Sequence, residues 1–130
     1  MPLPTLTLSV VGADFPNKRG PGRRFEIELC HAGELVRLVP EPKNPADPRA
    51  IAVFSVRGVP LGYLTAERCA LIHKAMREGA DVRAVFQGKT RFGAVIRVSF
   101  DGEEPELPAV VEQPRGEEGD FWADEWWADK

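Results

Sequence analysis

Signals for membrane insertion and export are missing from this sequence. No apolar run approaches the roughly 18 residues a helix needs to cross a bilayer, and Met1 to Leu8 lacks the basic start of a secretory signal. A cytoplasmic protein with no membrane partner is therefore expected. Cysteine is scarce as well. Cys30 and Cys69 are the only two, too few for a disulfide framework and thiols in any reducing compartment. Metal ligands are equally thin. Cys69 and His73 stand four apart on a predicted helix and share a side, but zinc needs four ligands, and the adjacent Cys30 and His31 point to opposite faces of a strand. The chain also lacks a nucleophile–base–acid set, a Walker glycine loop and paired carboxylates. The expectation is no metal, no cofactor and no catalytic residue, hence a binding protein and not an enzyme.

What is present is a strong charge asymmetry. The net charge of -3 conceals a body, residues 1 to 100, with 15 basic and 9 acidic side chains, and an end, residues 101 to 130, with 2 basic and 11 acidic. A basic body with an acidic tail fits a polyanion-binding surface and a segment able to compete for it; it fits a solvated surface with a solubilising tail equally well. With 130 residues, 43% of them hydrophobic, there is material for one core.

Pattern along the chain reads mostly as strands. Thr5 to Val11 alternates polar and apolar residues, and Gly12 ends the run. Pro16 to Arg24 holds five turn-formers and four cations and reads as an exposed basic loop. Phe25 to Cys30 alternates again, with His31-Ala32-Gly33 as a turn and Leu35 to Val39 as the returning strand of a hairpin. Pro40 to Pro48 carries four prolines in nine residues, too few backbone donors for a sheet. Ala50 to Val56 and Leu61 to Leu64 follow as strands around the turn Arg57 to Pro60, and Gly62 marks a bulge or a close backbone approach. Thr65 as N-cap, Glu67 near the N-terminus and the apolar Leu71, Ile72, Ala75 and Met76 predict a helix over Ala66 to Glu78, stopped by Gly79. Asp81 to Gln87 and Phe92 to Phe100 close the pattern as strands joined at a tip, Gly88 to Arg91. Six or seven short strands with one α-helix predict a mostly β fold, a small OB-like or SH3-like barrel over residues 1–103. Residues 104–130 are expected to be a flexible acidic tail, residues 101 to 119 having a composition that does not fold.

Three stretches, Val10-Val11-Gly12, Glu41-Pro42-Lys43-Asn44-Pro45-Ala46-Asp47-Pro48-Arg49-Ala50-Ile51-Ala52-Val53 and Leu61-Gly62-Tyr63-Leu64, together resemble the HIRAN domain over roughly residues 5 to 100. The resemblance implies an OB-like barrel of the stand-alone bacterial type, related to domains fused to fork-remodelling translocases. It also implies binding of single-stranded DNA, in the best understood case of a 3′ end, in repair or replication-fork work. By that resemblance Phe15 stacks on a base, Asp47 accepts a hydrogen bond from a terminal hydroxyl and Asn44 holds the loop. Two positions depart from the end-capturing pattern: Ala46 replaces a second aromatic residue, and Asp14 replaces a basic one. The first removes a stacking platform and the second sets an acid beside the phosphates. Lys18, Arg19, Arg23, Arg24, Lys43, Arg49, Lys89 and Arg91 all fall in predicted loops, where they can track a backbone.

All three tryptophans, Trp122, Trp126 and Trp127, lie in the tail beside Asp120, Asp124, Glu125 and Asp129. Acid interleaved with aromatic rings imitates a single strand, so the tail is a candidate occupant of the domain's own groove or of a partner's. Other readings stand beside that one: a solvated tail, a docking motif for a protein partner, or rings that complete the core. A protein-interaction adaptor that does not bind nucleic acid is the rival function.

Overall fold

The computed structural model describes residues 3–108 of the 130. Trp122, Trp126, Trp127 and the acids around them lie outside the described residues. Six strands and two helices follow one another as β1 (Leu6–Val11), α1 (Arg23–Leu29), β2 (Leu35–Pro40), β3 (Ile51–Phe54), β4 (Pro60–Leu64), α2 (Ala66–Arg77), β5 (Arg83–Thr90) and β6 (Gly93–Ser99). The strands close into a barrel in the order β1-β4-β3-β2-β5-β6, every pair antiparallel. Among the described residues every strand has a partner on both sides, so none is left as an edge strand.

Alternation places the core. In β1, Leu8 and Val10 point inward while Thr7 and Ser9 face out, and β6 answers across the ladder with Ala94, Ile96 and Val98, all buried. Helix α2 packs Cys69, Ile72 and Ala75 into the barrel, a face rotated from the Leu71 and Met76 stripe of the sequence pattern; Met76 is exposed. Thr65 stands at its N-cap with extended backbone but makes no capping bond through its side chain.

One predicted strand is a helix. Phe25 to Cys30 was to pair with Leu35 to Val39, but β2 already pairs with β3 on one edge and β5 on the other, so the closed barrel has no edge to offer. The alternation is also broken by burial: Ile27 is 3% exposed, whereas Phe25 and Leu29 are 61% and 43% exposed. In α1 the inward residues are neighbours, Glu26 and Ile27. The Glu26 carboxylate is buried and accepts hydrogen bonds from the Ser55 hydroxyl and from Arg57 Nε, both at 2.7 Å, which offsets the cost of desolvating it. Tertiary packing has overridden a local pattern.

Two glycines let neighbouring strands close on the end of β1. A Cβ on Gly62 (φ 151°) would stand 2.3 Å from the Val11 carbonyl oxygen, and one on Gly93 (φ 155°) 2.3 Å from that of Val10. Gly62 therefore marks a close approach, and the register also shifts at Val53/Phe54 on the facing strand. The hairpin tip is tighter than its sequence suggests, because β5 runs on through Gly88 and Lys89 to Thr90. Beyond β6, part of the stretch assigned to a disordered composition is folded back. Asp101 bridges to Asp81, the Gly102 amide donates to the Asp81 carbonyl, and Pro105 is buried.

Candidate nucleic-acid interface

Two loops that the sequence marks as unable to join a sheet stand on either side of an open cleft of about 930 Å³. One wall is Pro16 to Arg19, the other Glu41 to Pro45, and Tyr63, Ala52 and Pro60 lie between them.

The first wall is held by Asn17 and Arg23. Asn17 Nδ2 donates to the carbonyls of Pro21 (3.0 Å) and Pro60 (3.1 Å), tying the loop to the start of β4. Arg23 donates from Nε to Asn17 Oδ1 (2.9 Å) and from its terminal nitrogen to the Gly12 carbonyl (2.8 Å), with its guanidinium 5.5 Å from the Tyr63 ring centroid. These bonds make Arg23 a strut, not a loop cation; it is also the first residue of α1.

The second wall is built by its own side chains. The Glu41 amide donates to the Ala50 carbonyl, closing the neck of the loop. Asn44 Oδ1 accepts from the amides of Ala46 (2.8 Å) and Asp47 (3.2 Å), while Asn44 Nδ2 donates to Glu41 Oε1 (3.0 Å). Asp47 Oδ1 accepts from the Arg49 amide (2.9 Å), an Asx turn that leads the chain into β3. At the base, the Tyr63 hydroxyl donates to Glu41 Oε1 at 2.7 Å. Burial, together with that carboxylate, pushes the Tyr63 phenol above its usual range, so it stays a neutral donor.

Of the residues singled out in the sequence, the cleft gathers Lys18, Arg19, Arg23, Lys43 and Asn44. Among the described residues Lys18, Arg19 and Lys43 make no ion pair and no side-chain hydrogen bond, so their charge is uncompensated. Phe15, Asp47, Arg49, Arg24, Lys89 and Arg91 are not part of its lining. Phe15 precedes the first wall and is 68% exposed. Arg49 is exposed on the far side of the second loop, where His73 Nε2 lies 3.0 Å from its carbonyl oxygen.

The remaining cations differ in kind from those of the cleft. Arg24 and Lys89 sit on α1 and β5 and not in loops. Arg24 Nε donates to Asp14 at 2.5 Å and a terminal nitrogen donates to the Arg91 carbonyl at 3.2 Å; Lys89 is bound by both oxygens of Glu28, at 2.8 and 2.9 Å. The Arg24 guanidinium holds the Asp14 carboxyl below its usual range. Asp14 is thus charged but locally neutralised, which answers the expected repulsion of phosphates at that position. The Arg91 guanidinium lies over the Phe92 ring at 5.8 Å.

Sequence reasoning missed Asn17, Glu41 and Tyr63 as builders of the site. Glu41 and Tyr63 carried a signal, since both lie in the stretches that carry the resemblance and Tyr63 is the chain's single tyrosine. Among the described residues no group of three or more His, Cys, Asp or Glu side chains is placed to hold a metal ion, and no helix is long and apolar enough to cross a membrane. Cys69 is buried, and Cys30 is half-buried beside Glu26, with its thiol pushed up to about 11, mainly by burial.

Residues 7–102 match the family described as HIRAN domain. The chain is 32% identical over 95 residues to the helicase-like transcription factors of Oryctolagus cuniculus and Mus musculus, a match covering 71% of this chain and 10% of each relative. Among solved structures it is similar to the HIRAN domain of human HLTF (TM-score 0.57, 24% identity, 74% of each chain covered). A protein from Lactobacillus plantarum is also similar (TM-score 0.54, 20% identity, 75% of this chain and 94% of that one). At these identities the two structures speak for the fold.

Proposed function

The chain belongs to the HIRAN domain family, and on that premise we propose that its barrel is a nucleic-acid-binding module for single-stranded DNA or its 3′ ends, acting in DNA repair or at replication forks. The observation that carries this reading is the cleft, where Lys18 and Arg19 on one wall and Lys43 on the other have no ion-pair partner among the described residues. Cations in that state release condensed counterions when they meet phosphates; cations already paired with carboxylates gain little. Phe15, exposed at the edge of the first wall, takes a base by stacking, worth about 1–3 kcal/mol. Asp47 spends one carboxylate oxygen on the Arg49 amide, leaving the other to accept a hydrogen bond from a terminal 3′ hydroxyl. The module works by binding, without chemistry of its own, in the cytoplasm.

The test is fluorescence anisotropy with labelled single-stranded oligonucleotides ending in a 3′ hydroxyl or a 3′ phosphate, using the full chain and its Asp47→Asn variant. Preference for the free hydroxyl, lost in the variant, is expected. Equal binding of both ends by the wild type would leave a general single-strand binder, and no binding at low salt would reject the reading.

A further inference from the structure

Three of the chain's seven phenylalanines are largely in solvent: Phe15 at 68%, Phe25 at 61% and Phe92 at 71% exposure. They come from three distant parts of the chain, yet each follows directly on a residue tied together by one side chain. Arg24 bonds the Asp14 carboxylate and the Arg91 carbonyl, so Asp14-Phe15, Arg24-Phe25 and Arg91-Phe92 meet around a single guanidinium. Close packing beneath supports the juxtaposition, since a Cβ on Gly93 would come within 3.6 Å of the Ala13 side chain. At about 200 Å² for each ring, the three together expose roughly 400 Å² of apolar surface, the size of the largest patch on a typical soluble monomer, which is often a functional one.

We propose that this shelf is the docking site of the chain's own segment Asp120-Phe121-Trp122-Ala123-Asp124-Glu125-Trp126-Trp127. Composition matches on both sides. The segment offers four aromatic rings and three carboxylates with no cation. The shelf offers three rings and Arg91, which has no carboxylate partner among the described residues and already lies over Phe92. Aromatic pairing and an acid on a ring-stacked guanidinium are the contacts such surfaces make. Reach is sufficient. From the end of β6 to the shelf at its other end is about 20 Å of strand, and the 11 residues between Pro108 and Asp120 span up to about 36 Å when extended. Phe15 belongs to the shelf as well as to the nucleic-acid surface, so a docked segment withholds that ring from a base; this consequence rests on the reading above, whereas the docking itself does not.

Every tryptophan of the chain lies in the proposed segment, so intrinsic tryptophan fluorescence of the 130-residue chain reads its environment without any nucleic acid. The wild type is expected to show blue-shifted emission shielded from iodide and independent of protein concentration. A Phe25→Ser/Phe92→Ser variant, changed only at exposed rings and checked for folding by circular dichroism, is expected to emit like the protein in urea. A Lys18→Glu/Lys43→Glu variant should emit like the wild type. The proposal is overturned by wild-type emission equal to that in urea, by a shelf variant that leaves emission unchanged, by a cleft variant that shifts it instead, or by emission that reddens on dilution, which would identify a second copy as the source of the segment.

Discussion

The cleft and the phenylalanine shelf are built on the same stretch of chain, residues 12 to 25, and are opposites in how they treat charge and aromatic surface. In the cleft the aromatic group is tethered and the cations are free: Tyr63 is bonded to Glu41 and covered by Arg23, while Lys18, Arg19 and Lys43 have no partner among the described residues. On the shelf the rings are free, Arg24 is paired with Asp14 and Arg91 lies over Phe92, while Lys89, on β5, is paired with Glu28. The difference teaches that counting basic residues does not locate a polyanion site. A cation contributes to phosphate binding through the counterions it sheds, and one already neutralised by a carboxylate has few to shed.

The largest effects are expected at the two glycines that let the neighbouring strands close on β1. Gly62→Ala, beneath the cleft, and Gly93→Ala, beneath the shelf, each drive a Cβ into a β1 carbonyl. Each is expected to cost about 3 kcal/mol or more in urea denaturation; a loss below about 1 kcal/mol would mean that β1 is not pinned as described. Next comes the charge contrast itself. Reversing Lys18, Arg19 and Lys43 together to Glu should weaken oligonucleotide binding by about two orders of magnitude or more, and reversing Arg24 and Lys89 should change it by roughly threefold at most. Phe15→Ala, which removes the shelf ring that directly precedes the cleft's first wall, is expected to weaken binding by about 1–3 kcal/mol. Replacing Trp122, Trp126 and Trp127 with Ser should act in the other direction and tighten binding a few-fold, by freeing Phe15.

The smallest effect sharpens the account of Asp14. Its folded pKa lies below the ordinary 3.8 because Arg24 holds it. The stabilisation from this pair is therefore complete above pH 3.8 and is lost only as pH falls through the lower folded value. NMR titration of the Asp14 carboxyl should place its midpoint below the ordinary 3.8, with Arg24→Gln restoring an ordinary midpoint.

Local pattern carried much of the fold. The strict alternation of β1, the proline-rich loop with its Asn44 and Asp47, and the helix stopped at Gly79 are all legible because neighbouring residues decide them. The loop is the clearest case: Asn44 and Asp47 bond amides two and three residues away, contacts that the order of residue types encodes. Helix α1 was not legible. Phe25 to Leu29 alternates like a strand, and what makes it a helix is a buried Glu26 that meets Ser55 and Arg57 from 29 and 31 residues further along. The division of the cations was hidden for the same reason. Arg24 finds Asp14 ten residues away and Lys89 finds Glu28 at a separation of 61, so which charges are free emerges only after the barrel has closed.

The central claim, that the cleft's free cations carry nucleic-acid binding, is tested most directly by the salt dependence of affinity for a single-stranded oligonucleotide. Three phosphate contacts predict a slope of log affinity against log salt of about -2 for the wild type. That slope should persist in the Arg24→Gln/Lys89→Gln variant and fall close to zero in the Lys18→Gln/Arg19→Gln/Lys43→Gln variant. An unchanged slope after the cleft substitutions, or a loss confined to the Arg24/Lys89 variant, would contradict the account and move the binding surface away from the cleft.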